Sequence, residues 1–427
     1  MISARDMAMA PAPPMQAYAV PLRERILLVV LFVTVLMSSV AFIEPSPHDA
    51  LVGVLAVACL IAGVRFERIL ALPLLLLLVW NVAGIMSLVN VVGEEKTTQY
   101  VGTSVYLAVA AMVFACLFAQ NTMPRLATMR AAYVLTATAV SLAGIAGYFR
   151  LFPGAHELFA PFDRALGAFK DPNVFGPFLI WPALVVLERM LVRRIRITDV
   201  TIVAIMLLAL LLSFSRGAWL HFAVSCAVMV GLSFLAAPTQ GLRLRIFAMS
   251  AVGIVTLAAF IAILLSFDTI SAMFQERAQL FQHYDAGQGG RFHLQELALT
   301  DMLKFPNGMG PFEFSRVHGL QQHNVYLQAF LVYGWAGGIA YLLLLAATFW
   351  VAFRCVFVRT PWQHYLITAL AAFAGEVVEG FVIDTDHWRH FFLLLGIIWG
   401  LAAATHKRTR PGNAVMPAGQ VVHVGAV

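Results

Sequence analysis

Charged side chains are scarce in this chain: Asp, Glu, Lys and Arg together make up 12% of its 427 residues. Hydrophobic residues account for 61%, and the mean hydropathy is +0.84. Too little charge to coat a globule, with more apolar surface than a soluble core can bury, excludes a soluble domain and makes a bilayer the solvent for most of the chain. The short alternating segments of a β-barrel are missing too, so helices are the spanning structure. The four cysteines, Cys59, Cys116, Cys226 and Cys355, fall in apolar runs or at their edges, which indicates no disulfide framework; they read as small packed hydrophobes. There is no G-x-x-x-x-G-K-[ST] phosphate loop and no internal repeat.

What is there is a series of apolar runs, each near the length that crosses about 30 Å of hydrocarbon. They predict an all-α polytopic membrane protein with about 12 transmembrane helices, at 26–43, 49–64, 69–90, 101–119, 128–149, 173–191, 198–214, 217–236, 246–266, 323–350, 363–383 and 390–405. The expected division is a disordered cytoplasmic leader over 1–22, nine helices over 23–266, a large periplasmic loop over 267–322, three more helices over 323–406 and a cytoplasmic tail over 407–427. Ser39-Val40-Ala41 resembles a cleavage site, but the apolar run before it is long for a signal peptide, so the first helix is expected to stay in place.

Placing the N-terminus in the cytoplasm puts most of the 28 Lys and Arg residues on the inner side, among them Arg125, Arg130, Arg189, Arg193, Arg194 and Arg196. Most acids then fall outside, as the positive-inside rule requires. The net charge of +6 therefore reports topology and contact with anionic membrane lipids, and gives no reason to expect nucleic acid as a partner.

Three outer segments exceed what a connection needs: about 150–172, about 267–322 and the charged corner 384–389. In the largest, Ile270, Met273, Phe274, Ala278 and Phe281 recur at helical spacing, and Phe292, Leu294, Leu297 and Met302 mark a second helix after Gly289-Gly290. Both are expected to lie along the membrane surface. No ATP or nucleotide sugar is found outside the cytoplasm, so an outer site must use a substrate activated beforehand and delivered in the membrane, such as a glycan on a polyprenyl pyrophosphate. Such a donor calls for guanidinium groups at the leaving diphosphate and a base near the acceptor hydroxyl.

Arg216, in Ser213-Phe214-Ser215-Arg216-Gly217 between two apolar runs, is held at the outer boundary, where it either forks onto phosphate or snorkels to lipid headgroups. Arg291 follows the Gly pair and is the second cation. His323 and Asn324 stand where the large loop enters the next span; the imidazole is a candidate base, and Asn324 reads equally as a helix cap. Asp171-Pro172-Asn173 is an ordinary helix start, or else Asn173 and Arg164 help line a sugar site. Glu376 and Glu379, one turn apart within a span, call for a functional role or an arginine partner. Asp384 and Asp386 imitate a D-x-D metal motif or join a structural network with Arg389 or Arg216. The histidines of the loop, His283, His293 and His318, make no zinc spacing.

Taken in order, these segments resemble the O-antigen ligase and O-antigen polymerase family of bacterial membrane glycosyltransferases. The resemblance is carried by Phe169 to Gly176, Ser215-Arg216-Gly217 with Trp219, Gly290-Arg291, Pro306-x-Gly308-x-Gly310, and His323-Asn324-x-Tyr326-Leu327 followed by Gly334 and Gly337, over roughly residues 160–350. It implies a periplasmic active site in the inner membrane, an undecaprenyl-pyrophosphate-linked glycan as donor, lipid A core or a growing glycan as acceptor, and no metal or other cofactor. By the same resemblance Arg216 and Arg291 bind pyrophosphate and His323 acts on the acceptor or supports the site; Arg164, Asn173, Ser215, Asn324 and Arg389 are the expected substrate contacts, Arg389 by inference from the corner alone. The motifs do not separate a ligase from a polymerase. A glycolipid transporter or flippase, which would use Glu376 and Glu379, and a non-catalytic scaffold in a polysaccharide assembly complex are the rival readings.

Overall fold

A computed structural model describes residues 21–91, 94–277 and 290–409. Among the described residues there is no strand, and the α-helices follow one another almost without interruption. The first five are α1 (Leu22–Leu36), α2 (Pro47–Ile61), α3 (Ala71–Ser87), α4 (Glu95–Phe118) and α5 (Thr122–Tyr148). A short α6 (Ala155–Phe159) precedes α7 (Pro172–Phe178), α8 (Ile180–Val192), α9 (Ile197–Leu212), α10 (Arg216–Ala236) and α11 (Gln240–Leu265). The segment between the two halves holds α12 (Asp268–Arg277), α13 (Arg291–Lys304) and α14 (Glu313–His318), and the chain closes with α15 (Val325–Val356), α16 (Gln363–Glu379) and α17 (Arg389–Thr409).

Among the described residues, eight helical stretches are long and apolar enough to cross a bilayer: Arg68–Val91, Glu95–Phe118, Thr122–Tyr148, Pro172–Val192, Arg216–Ala236, Gln240–Leu265, Val325–Val356 and Arg389–Thr409. The other four expected spans coincide with α1, α2, α9 and α16, which are shorter, at 15, 15, 16 and 17 residues. The first ends early because Met37–Ser39 tightens into a 3₁₀ turn, with the Ser38 hydroxyl donating to the carbonyl of Val35 at 2.6 Å.

The helices pack by close approach: α10 against α16, α15 against α3 and α17 against α4. In lipid no hydrophobic drive separates helix from solvent, so small residues and internal hydrogen bonds hold such contacts. Gly375 of α16 shows the principle, since a Cβ there would sit 2.3 Å from both His221 Cδ2 and Ser225 Oγ of α10. At the arginine-rich end a buried fork joins the first helix to the fifth, with Arg125 Nε and Nη2 each donating to the Glu24 carboxylate at 2.9 Å. Beyond its first turns, where Ile246 is buried and Arg245 bonds to the end of α8, α11 presents apolar side chains all round, as a lipid-facing helix does.

The expected helices of the large loop are present as α12 and α13, while Ala278, Phe281 and His283 lie outside the described residues. Far from hanging free, α13 packs on α15: Leu294, Ala298, Met309, Phe314, Leu327 and Leu331 form their own apolar cluster. The Pro306-x-Gly308-x-Gly310 segment completes the docking at a break in α15, where Gly334 has φ 66° and ψ −174°. Trp335 N–H donates to the carbonyl of Pro306 at 2.8 Å and Met309 N–H to that of Leu331 at 2.6 Å, so the loop backbone takes over the bonds that the break releases. Both strained glycines are needed: a Cβ on Gly308, at φ 81°, would lie 2.7 Å from the carbonyl oxygen of Val332, and one on Gly334 would lie 2.7 Å from that of Pro306. Alanine at either position should therefore lower stability by about 1–3 kcal/mol from backbone strain alone, more with the overlap. Thermal unfolding of G308A and G334A in detergent checks this, and an unchanged midpoint in both would show that the loop is not held by this junction.

Candidate functional site

The C-terminal end of α16 is where the candidate residues gather. The last carbonyls of a helix have no partner within it and must find donors elsewhere. Here Val325 N–H donates to the carbonyl of Gly380 at 2.9 Å, and Asn324 Nδ2 to that of Phe381 at 3.2 Å. Gln295 Nε2, on α13, reaches the carbonyls of Phe381 at 3.3 Å and Gln322 at 3.4 Å. Arg291 lies one turn before Gln295 on the same helix face, at the start of α13.

Asn324 caps α15 as one of the two readings expected, its Oδ1 accepting from the N–H groups of Tyr326 at 3.0 Å and Leu327 at 3.1 Å. The residue before it, His323, takes a left-handed conformation with φ 48°, an uncommon setting for a side chain with a Cβ. That geometry turns its ring toward the corner, with Nδ1 3.4 Å from Asp384 Oδ2, while 49% of the side chain stays exposed. Asp384 also accepts from the Asn324 N–H at 3.0 Å, so one carboxylate fixes both the histidine and the start of the helix. Burial raises the carboxyl pKa of Asp384, partly offset by the hydrogen bond from His323.

Arg216 is the first residue of α10, directly after the Ser215 cap, whose Oγ accepts from Ala218 N–H at 3.3 Å. Its neighbour Gly217 lies flat on Glu379, where a Cβ would come 2.7 Å from Oε1. The tip of α10 thus abuts the end of α16 from one side while His323 and α13 reach it from the others. Arg164 and Asn173 brace the turn that presents Arg216. Arg164 Nε donates to the carbonyl of Ser213 at 2.7 Å and Nη2 to Asn173 Oδ1 at 2.9 Å, and Asp171 caps α7 by accepting from Asn173 N–H at 2.7 Å. The ordinary helix start is present, and Arg164 ties Asn173 to the arginine turn.

Glu376 and Glu379 are fully buried, and the partners found for them are histidines rather than an arginine. His221 Nδ1 is 2.8 Å from Glu379 Oε2, and its Nε2 is 2.9 Å from the carbonyl of Ala372. Since a carbonyl only accepts, Nε2 carries a proton, and a second proton is shared between Nδ1 and Glu379. His390 Nε2 approaches Glu376 Oε1 at 3.3 Å without hydrogen-bond alignment.

The corner 384–389 departs from both readings offered for it. Asp384 and Asp386 turn to different partners, the former to His323 and Asn324, the latter to Tyr100 Oη at 2.6 Å and His387 Nδ1 at 3.1 Å. The network partner of Arg389 is neither of them but Asp49 of α2, gripped through Nε and Nη2 at 2.7 Å each. Asp49 is itself part of a capping box with Ser46, an acid whose pairing the sequence spacing did not reveal. Beside this corner is a cavity of about 140 Å³ lined by Glu44, Lys170, Asp171, His387, Trp388 and Arg389 among others. It is smaller than the about 300–1,000 Å³ of drug-sized sites, so it does not enclose a glycan.

Burial works against the charge on Asp386, but His387 and the hydrogen bonds from His387 and Tyr100 outweigh it and hold the carboxyl below its usual range. Burial likewise favours a neutral His387, and the facing Asp386 outweighs it and holds the imidazole above its usual value. The carboxylate's stabilisation is present above its unfolded pKa and lost as pH falls through the lower folded one. The histidine's is present below its unfolded pKa and lost as pH rises through the higher folded one. The His387→Gln variant should therefore be less stable by on the order of 2 kcal/mol. The deficit should be full between about pH 4 and 6.5 and shrink on both sides. Thermal unfolding against pH measures this, and a deficit that does not vary with pH would show that the pair is not ionic.

Comparison with known proteins adds one match. No curated protein matches the chain. Residues 201–342, which run from α9 through the Arg216 turn, the loop helices and His323 into α15, match the family model described as O-antigen ligase.

Proposed function

We propose that this protein is a glycosyltransferase of polysaccharide biosynthesis that moves a glycan from an undecaprenyl-pyrophosphate carrier to an acceptor hydroxyl at the outer face of the bacterial inner membrane. What supports the reading is the meeting of α10, α13 and α15 at the end of α16, contacts made by Gly217, Gln295 and Asn324, which are next to Arg216, one turn from Arg291 and next to His323. The reading takes the four shorter helices as crossing too, which makes twelve spans, with the junction on the outer side, opposite the arginine-rich ends.

At such a junction the acceptor oxygen attacks the anomeric carbon from the face opposite the diphosphate. The bond from that carbon to the phosphate oxygen breaks, its electron pair leaves with the pyrophosphate, and the configuration inverts. Arg216 and Arg291 stabilise the departing charge, worth most where water is excluded. His323 takes the acceptor proton on Nε2, the nitrogen turned away from Asp384, while Asp384 holds the ring and balances the imidazolium. Arg164, Asn173 and Ser215 support the arginine turn, and Asn324 the histidine. With its fork engaged by Asp49, Arg389 belongs to the frame of the site.

The transporter reading draws on the buried carboxylates. Their depth argues against it: His221 is five residues past Arg216, about 7 Å along the helix, and Glu379 ends α16, so the cluster sits near the junction and not at the bilayer midplane.

Purified protein in proteoliposomes with a synthetic lipid-linked donor tests the assignment. R216A should lower transfer by about 10²-fold or more with insertion intact. H323A should lower it by about 10²–10⁴-fold and remove the limb of the pH profile that reports proton uptake. Wild-type transfer by R216A rejects the diphosphate role, and an unaltered pH profile in H323A leaves that residue a structural one. Surface glycan from a deletion strain then separates the two chemistries: single repeat units on the core point to a lost polymerase, bare core with lipid-linked polymer to a lost ligase.

A further inference from the structure

A second concave site lies away from the junction, between α5, α8 and α9. It is a groove of about 360 Å³ with Arg130 and Arg189 at one end and Val134, Thr138, Val185 and Ile202 along its walls. From Arg130 to Thr138 the α5 face descends two turns, about 12 Å into the helical layer. A cationic mouth over an apolar slot of that depth matches a phosphate headgroup with part of an acyl chain. We propose that this groove binds an anionic diacyl phospholipid.

The charges around the mouth favour an anion. Arg193, Arg194 and Arg196 lie in the short connection from α8 to α9, and Arg193 joins Arg130 beside His364 and Tyr365 of α16. Two acids face the same region. Asp199 is 1% exposed and bonded to Arg189, and Glu188 is buried in α8 within reach of the Arg193 charge. Neither presents a carboxylate at the surface, so neither repels a headgroup there. Arg189 keeps one sheltered donor: its Nε–H has no acceptor among the described residues. Buried donors left unbonded are costly, and a phosphate or ester oxygen at the mouth supplies the missing acceptor.

The site is distinct from the junction that would grip a lipid diphosphate. The 16 residues of α9, about 24 Å of helix, separate the arginine connection at one end from the Ser213 to Arg216 turn at the other. Basic pockets between helices on the cytoplasmic side are where anionic headgroups are held in membrane proteins generally.

Native mass spectrometry of the full chain, exposed to phosphatidylglycerol or to phosphatidylcholine of the same acyl chains, tests the proposal. The expected result is retention of phosphatidylglycerol over phosphatidylcholine, reduced about fivefold in R130A. A second variant, L135W, fills the slot from a residue that is 53% exposed and so leaves the helix core untouched; it should also lose the lipid while keeping the wild-type unfolding midpoint. Equal retention of both lipids, displacement by inorganic phosphate, or displacement by undecaprenyl phosphate would each overturn it. So would undiminished binding in L135W, which decides the matter if R130A does not fold.

Discussion

In a bilayer the backbone carbonyls at a helix end find little water, and each left without a donor costs several kcal/mol. The end of α16 answers this demand with donors from distant parts of the chain: Val325 N–H, the Asn324 side chain and Gln295 from the loop. Because those donors sit next to His323 or one turn from Arg291, the same bonds that satisfy a helix terminus also assemble the candidate site. Satisfying the backbone and positioning the chemistry are one arrangement.

The break in α15 follows the same logic. Gly334 interrupts the helical ladder, and the freed groups are taken up by Pro306 and Met309 instead of solvent. That exchange anchors the loop close to where α13 ends, and the apolar cluster around Leu294 and Phe314 seals it. A loop tethered on both sides in this way keeps Gln295, and with it the Arg291 turn, at the end of α16. The glycines of the P-x-G-x-G segment are thus explained by backbone approach, with no need for them to touch a substrate.

Much of this was legible in the sequence because two signals survive without tertiary information. Apolar run length marks the helices, and arginine placement marks the end that Arg130 and Arg193 share beside His364. The cap at Asn324, the helix start at Asp171 and the loop helices followed from local spacing. What spacing could not reveal were the pairings: Asp49 with Arg389 spans nearly the whole chain, and Glu379 meets His221 across two helices. Of the two readings for the intramembrane acids, a functional role or an arginine partner, the second gives way to histidine, since the signal available, a carboxylate in an apolar run, demands a proton-bearing partner without naming which. The ends of α1 and α16 were overrun for a related reason, as hydropathy does not register where hydrogen bonding tightens or stops a helix.

The corner 384–389 shows how adjacent acids acquire separate duties. Side chains two apart on a turn need not converge, and here Asp384 faces α15 while Asp386 faces Tyr100 of α4. Each carboxylate faces its own imidazole, but the two pairs differ in access: His387 is held by a backbone carbonyl through Nε2, whereas His323 stays half exposed. A histidine whose second nitrogen is already bonded has no free nitrogen to accept a substrate proton. By that difference the inner pair fastens the corner to α4, and the outer pair is the one to which the proposed reaction assigns the proton transfer.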